Sequence, residues 1–83
     1  MKVNIRYFAS IREALGANEQ IDTTEGTTLA ALRDQLIASS VAHAGALARG
    51  RALRCAINQS MCAETTVIPE GAEIAFFPPV TGG

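Results

Sequence analysis

The order of strand-like and helix-like segments in this 83-residue sequence predicts an α+β domain with one main helix packed across one face of a sheet. Three observations lead to this fold class. Segments with apolar side chains at alternate positions lie near both ends of the chain. A central segment repeats apolar residues at helical spacing. The length suits a single domain with one modest core.

The first segments predict a strand, a short helix and a second strand. Residues 2–8 alternate between apolar and polar side chains, which places Phe8 on the polar face and three residues on the buried face: Val3, Ile5 and Tyr7. The stretch Ser10-Ile11-Arg12-Glu13 fits a capping box that opens a short helix, and Gly16 is expected to end it. Residues 19–23 are predicted to form the second strand.

The main helix follows a turn at Glu25-Gly26. Thr27 or Thr28 is expected to cap it, because a threonine hydroxyl can accept a backbone hydrogen bond at a helix start. The apolar stripe of this helix is expected to face the core and consists of Leu29, Leu32, Leu36 and Ile37. The same spacing places Arg33 and Asp34 away from the stripe.

The second half of the chain predicts two or more further strands. An alanine-rich stretch through Ala48 is expected to hold one or two helical turns, ended by Gly50. Residues 52–58 predict a third strand, and Pro69-Glu70-Gly71 predicts a turn before the last strand, residues 73–77. The first and last strands are expected at the centre of the sheet.

The two cysteines lie on either side of a predicted tight turn. A two-residue turn at Asn58-Gln59 would return the chain as a short strand over residues 61–63 and place Cys55 opposite Cys62. A disulfide between them is geometrically conceivable, but both thiols are expected to stay reduced in a cytoplasmic protein. Two cysteines and one histidine are too few for an iron–sulfur cluster or a complete zinc site, so no metal site is expected.

Charge and hydropathy exclude several classes of function. The net charge is −1 and both signs are spread along the chain, so no nucleic-acid partner is expected. No apolar run approaches the ~20 residues of a membrane span, and no signal peptide is visible, which predicts a cytoplasmic protein without a membrane partner. Three arginines near Gly50 are interpreted as solvated loop residues: Arg49, Arg51 and Arg54.

A catalytic site within the chain is not expected. The serines, including Ser10, Ser39 and Ser60, and the single histidine show no spacing typical of a nucleophile and its base. His43 is interpreted as an exposed residue. Stand-alone enzyme activity is therefore the least favoured class.

The sequence ends in an unusual way. An apolar strand stops at Pro78-Pro79, and the chain closes with Gly82-Gly83. Prolines favour an extended spacer and glycines pass through narrow channels, so residues 78–83 predict a protruding tail on a domain of residues 1–77. Phe8, Ala75 and Phe77 are expected to form an exposed apolar patch close to this tail, and such patches mark interaction sites.

This element order and the closing FFPPVTGG resemble the β-grasp (ubiquitin-like) sulfur carriers, and most closely the small subunit of molybdopterin synthase, the MoaD family. The resemblance also covers Ala56-Ile57-Asn58-Gln59 and the Glu70-Gly71 turn, whereas residues 40–51 have no matching pattern. It implies a ubiquitin-like mixed sheet and places the chemistry at Gly83, with Gly82 beside it. The predicted partner-binding residues are the patch expected from strand alternation and the tail that the resemblance assigns to the partner's active site: Phe8, Ala75, Phe77, Pro78, Pro79, Val80 and Thr81.

The resemblance further implies a reaction sequence carried out with other proteins. A ubiquitin-activating-like adenylyltransferase uses ATP to adenylate the Gly83 carboxylate, which a sulfur donor then converts to a thiocarboxylate. The large synthase subunit accepts the tail, and sulfur passes to a cyclic pyranopterin precursor during molybdenum cofactor biosynthesis. The implied assembly is a heterotetramer of two small and two large subunits, with no cofactor bound by this chain.

Three alternatives share part of this interpretation. A thiamine-pathway sulfur carrier would use the same activated terminus, and so would a ubiquitin-like protein modifier joined to lysines through Gly83. A β-grasp binding module would carry the tail incidentally. The chain length and the Phe-Phe-Pro-Pro segment before the terminus favour the pterin pathway over the thiamine pathway.

Overall fold

The computed structural model describes residues 1–79 and contains five strands and three helices in that range. The predicted site residues Val80, Thr81, Gly82 and Gly83 lie outside the described residues. In chain order the elements are β1 (Lys2–Tyr7), α1 (Ala9–Leu15), β2 (Asn18–Asp22), α2 (Leu29–Ser39), α3 (Val41–Ala46), β3 (Arg54–Ile57), β4 (Ser60–Cys62) and β5 (Glu73–Phe77).

The strands form one mixed sheet in the order β2-β1-β5-β3-β4. β1 and β5 run parallel, and the other neighbouring strands pair antiparallel. A parallel pair needs a long crossover connection, and here the intervening elements include the main helix. β5 therefore lies at the centre with β1 beside it, as predicted, and the ubiquitin-like α+β fold is confirmed.

The core lies between one face of the sheet and the helices. Val3, Ile5 and Tyr7 are almost completely buried, which confirms the face predicted by their alternation. The predicted stripe of α2 is also confirmed, since Leu29, Leu32 and Leu36 are buried and Ile37 packs partly against the core. Remaining core residues come from the other elements and loops, among them Ile11, Leu47, Ile68, Ile74 and Phe76.

Arg33 is the main correction to the predicted helix face. Its side chain is only 3% exposed, although the apolar spacing places it off the stripe. The reason is that α2 is covered on a second side by the segment after α3, whose carbonyl groups receive the guanidinium hydrogen bonds. Helical spacing identifies apolar contacts but does not reveal a polar contact made by a distant segment.

The helix ends agree only partly with the sequence prediction. The capping box was wrong: α1 begins at Ala9, and Ser10 already lies in its first turn. The carbonyl of Phe8 accepts from the Arg12 amide at 3.3 Å, so the chain enters the helix directly from β1. Gly16 ends α1 as expected with φ +93°, a conformation that suits glycine.

The other two helices begin at hydroxyl caps. Thr28 caps α2 by accepting from the Ala31 amide, as predicted, and Ser40 caps α3 by accepting from the His43 amide. The expected helical turns after Ser40 are present, but α3 ends at Ala46, earlier than the predicted stop at Gly50.

The turn between β3 and β4 forms at Asn58-Gln59, as predicted. Both residues have positive φ, +49° and +71°, which is the conformation of a tight hairpin turn. The pairing register places Cys55 directly opposite Cys62, and both cysteines are free thiols. The Pro69-Glu70-Gly71 turn is also confirmed, with Gly71 at φ +73°.

Candidate docking face and C-terminal approach

The last strand of the chain, β5, lies in the middle of the sheet. β5 pairs with β1 on one side and β3 on the other, and it ends at Phe77. Pro78 and Pro79 follow in irregular conformation and are half-buried. Because proline has no amide hydrogen to donate to a ladder, this pair accounts for the strand end.

Phe8 and Phe77 contact each other on the sheet face opposite the helices. Their ring centroids are 6.3 Å apart and the rings are perpendicular, which is a favourable edge-to-face geometry. Phe8 is 39% exposed, whereas Ala75 and Phe77 are half-buried. The structure thus brings the three predicted patch residues together where strand alternation placed them.

The sheet register extends this apolar patch toward the β4 edge. Ala75 pairs with Ala56, and Ala56 pairs with Met61, so the three form one row across β5, β3 and β4. Met61 is 59% exposed, whereas Ala56 between it and Ala75 is only 5% exposed. Sequence patterning alone does not identify Met61 as a surface residue, although the predicted turn register places it beside Ala56. We call Phe8, Ala56, Met61, Ala75 and Phe77 the apolar patch.

The other half of the same face is polar. Arg6 pairs with Ala75 across β1 and β5, and its guanidinium carbon lies 5.7 Å from the Phe8 ring centroid, within range of a cation–π contact. Arg6 also approaches Glu73 at 3.9 Å, and Gln20 donates to Asn4 at 3.1 Å. The face therefore combines an apolar region at the C-terminal end of β5 with a polar border on β1 and β2.

The single histidine is not an exposed residue, contrary to the sequence interpretation. Its Nε2 lies 2.6 Å from Oε2 of Glu19, and its Nδ1 lies 2.6 Å from Oγ of Ser40. The Glu19 carboxylate also accepts from the Tyr7 hydroxyl at 2.7 Å. These contacts join α3 to β2 and β1, a link between segments far apart in sequence that spacing alone does not predict.

This array shares residue types with a serine–histidine–carboxylate triad, but its geometry indicates a structural role. Ser40 Oγ accepts from the His43 backbone amide at 3.0 Å, so the hydroxyl serves as the cap of α3. A carboxylate only accepts hydrogen bonds, so His43 Nε2 donates to Glu19 and the histidine serves as a link between α3 and β2. Burial, followed by the bond to Glu19, raises the pKa of Tyr7 far above its usual range.

The basic cluster is interpreted as solvated loop residues, and Arg49 does lie in an exposed turn, with its side chain 45% exposed, but it is also ion-paired. Its guanidinium contacts Asp34 and Glu64, each at 2.8 Å. The hydrogen bond from Arg49 also lowers the pKa of Asp34. Glu64 accepts from buried Arg33 as well, so these side chains form one ion-paired network beside α2. Its contacts are internal to the domain, which indicates a stabilising role.

Two further observations concern metals and membranes. Within residues 1–79, no group of three or more His, Cys, Asp or Glu side chains is arranged to hold a metal ion. None of the helices in that same range has the length and apolar character needed to span a bilayer.

A β-grasp domain whose central last strand leads into a Pro-Pro and Gly-Gly terminus agrees with the sequence comparisons. The profile of the ThiS family matches residues 5–83. The chain belongs to the ThiS family. A molybdopterin synthase sulfur carrier subunit of Escherichia coli is 37% identical over 81 residues, covering 98% of this chain and 99% of that relative. The resemblance stated from the sequence is thus confirmed at the level of the family.

Solved structures of similar proteins agree with this family membership. SAMP1 from Haloferax volcanii superposes with a TM-score of 0.77 at 26% identity, covering all of both chains. A complex of subunits 1 and 2 of the molybdopterin-converting factor from Helicobacter pylori contains a chain with a TM-score of 0.68 at 27% identity, again covering all of both chains. In that complex the small protein is paired with a second subunit.

Proposed function

We propose that this ThiS-family chain is the sulfur carrier subunit of a molybdopterin synthase. The observation that carries the proposal is the match, over nearly the full length of both proteins, to relatives named as such subunits at 33–38% identity. In this proposal Gly83 is adenylated, converted to a thiocarboxylate and donates its sulfur to the cyclic pyranopterin precursor. The proposed partners are a molybdopterin synthase large subunit and a ubiquitin-activating-like adenylyltransferase. The proposed synthase is a heterotetramer of two small and two large subunits.

The chemistry divides between the tail and its partners. A free carboxylate is a poor electrophile, and adenylation replaces a poor leaving group with a good one, so that one difficult step becomes two easier steps. The resulting thiocarboxylate is an ionised sulfur nucleophile that needs no adjacent base. Gly82 and Gly83 carry no side chains, so partner active sites can close around the reacting atoms. Acid and base groups then come from the partner.

The apolar patch supports the proposal because of its place beside the tail. Docking a partner on Phe8 and Phe77 would hold the C-terminal end of β5, and hence the start of the tail sequence, against that partner. Exposed apolar surface of this kind favours protein association. Arg6 and Glu73 lie at the border, where charges influence orientation more than affinity.

Intact-mass analysis tests the proposed modification directly. The full chain is incubated with ATP, a sulfur donor and the adenylating enzyme, and the expected product shows the mass gain of one oxygen replaced by sulfur. Digestion with trypsin locates the mass gain within the chain. The last basic residue is Arg54, so the peptide of residues 55–83 contains the C-terminus. A chain lacking Gly83 is the matched control and should fold but gain no sulfur.

Other outcomes would contradict the proposal. A wild-type chain that remains unmodified under these conditions is not a sulfur carrier of this kind. Conjugates of higher mass, joined through Gly83 to lysines of other proteins, would identify a protein modifier instead. A chain lacking Gly83 that still supports molybdopterin formation would indicate a binding module.

A further inference from the structure

The β3–β4 hairpin brings the two cysteines of the chain side by side. Cys55 and Cys62 are direct cross-strand partners, two positions from the pair that closes the turn, Ile57 and Ser60. Cα atoms of directly opposed antiparallel residues are about 4.5 to 5.5 Å apart. Disulfides span Cα separations of about 4.4 to 6.8 Å, so the separation expected for this register lies within the disulfide range.

The side chains of the pair are directed to the same side of the hairpin. Cys55 lies in the hydrophobic core and Cys62 packs partly against it, so both are on the helix-facing side of the sheet. The Sγ atom of Cys55 lies 3.4 Å from the carbonyl oxygen of Cys62. Both are free thiols, and β4 is an edge strand with no neighbour beyond it in the described sheet.

The two thiols differ in access, which gives them different roles in an exchange reaction. Both line an open depression of about 500 Å³ together with Leu53, Met61 and Glu64, so a small reagent can approach from the hairpin edge. Cys62 is half-buried, whereas Cys55 is only 5% exposed. Burial, and then the neighbouring Cys62, raise the pKa of Cys55 to about 11, so Cys55 is the less reactive thiol toward an external oxidant.

We propose that Cys55 and Cys62 are a reversible redox site that small-molecule disulfides oxidise to an intramolecular disulfide. The Cys62 thiolate attacks one sulfur of oxidised glutathione, breaking its S–S bond and releasing one glutathione thiol. Cys55 then loses its proton and attacks the Cys62 sulfur, which forms the cross-strand bond and releases the second glutathione thiol. Two protein thiols are oxidised and one small-molecule disulfide is reduced, so the exchange is balanced.

Oxidation at this site would cross-link two strands that carry residues of the apolar patch, β3 and β4. It cross-links the edge strand that carries Met61 to β3, and β3 pairs with β5 through Cys55–Phe76 and Arg54–Phe77. The bond therefore restrains the hairpin beside the strand that leads into the tail. The site is independent of any sulfur carried at Gly83, so either proposal can fail without the other.

Mass spectrometry of the full folded chain tests the site. The protein is equilibrated with oxidised and reduced glutathione, free thiols are trapped by alkylation, and the tryptic peptide of residues 55–83, which contains both cysteines, is weighed. We expect the loss of two hydrogens and no alkylation, reversed by dithiothreitol. At about 0.1 mM glutathione the internal disulfide should exceed the mixed disulfide about tenfold, because a linked thiol acts at an effective concentration in the millimolar range.

Single variants separate the two roles. Cys55→Ala, which preserves a small apolar side chain in the core, should accumulate a stable glutathione adduct on Cys62. Cys62→Ser, at the half-buried position, should leave Cys55 largely unmodified. The proposal is overturned if the wild-type peptide keeps both thiols, carries a stable glutathione adduct, or forms a disulfide between two chains.

Discussion

Replacing Arg33 tests whether one buried guanidinium organises the segment after α3. Its Nε donates to the Leu47 carbonyl at 2.7 Å, and Nη2 donates to the carbonyls of Ala48 and Arg51. Its Nη1 contacts Glu64 at 2.9 Å. The Arg33→Ala substitution would remove every one of these bonds, and the buried Leu47 carbonyl would lose its guanidinium donor.

The expected loss is large for a domain of this size. Hydrogen bonds that involve a charged group contribute about 1.5–3 kcal/mol each, so losing the four bonds of this guanidinium should cost at least about 3 kcal/mol. Proteins have a free energy of unfolding of about 0.05–0.15 kcal/mol per residue, which corresponds to about 4–12 kcal/mol for a domain of this length. Arg33→Ala should therefore remove a major fraction of the stability and lower Tm by at least about 12 °C, at about 4 °C or more per kcal/mol.

Urea unfolding followed by circular dichroism measures the effect, and Arg49→Ala is the matched control. Arg49 shares Glu64 with Arg33, but its side chain is 45% exposed, so its loss should cost only about 0–1 kcal/mol. Arg33→Met retains an apolar stem and separates packing from hydrogen bonding. The reasoning is refuted if Arg33→Ala destabilises the domain no more than Arg49→Ala.

Two further predictions concern alkaline pH and partner docking. The pKa of Tyr7 is raised in the folded state, so its contribution to stability is complete below pH about 10 and is lost as pH rises toward the folded pKa, by about 1.4 kcal/mol per pH unit. Tyr7 is the only tyrosine, so phenolate absorbance should follow unfolding above pH about 10, and ionisation of the still-folded protein there would contradict this. Phe77→Asp should weaken binding to the large subunit about 30-fold or more, the effect of losing a 2 kcal/mol hot spot. Val41→Asp, at an apolar residue 91% exposed on α3, should bind normally in calorimetry, and unchanged affinity of folded Phe77→Asp would exclude the patch.

The apolar pattern of the sequence determined the layout of the domain. Alternation in β1 and the stripe of α2 predicted the core. Apolar side chains that share one face of a strand or helix are buried together when that face packs against the rest of the domain. The Asn58-Gln59 turn determined the hairpin register and hence the pairing of Cys55 with Cys62. The sequence also predicted the family. The element order resembles that family over the whole chain, and the closing FFPPVTGG is the specific part of the resemblance.

Tertiary structure alone decided the polar contacts. Arg33 is buried because the carbonyl groups of a segment 14 to 18 residues later cover it, and His43 is held by Glu19 from a strand 24 residues earlier. Met61 joined the apolar patch only when β4, β3 and β5 were placed side by side. Hydrogen bonds and ion pairs depend on distances between segments that are remote in sequence, whereas periodicity identifies only neighbours along one element. The sequence therefore predicted the buried faces, and the fold determined the polar contacts.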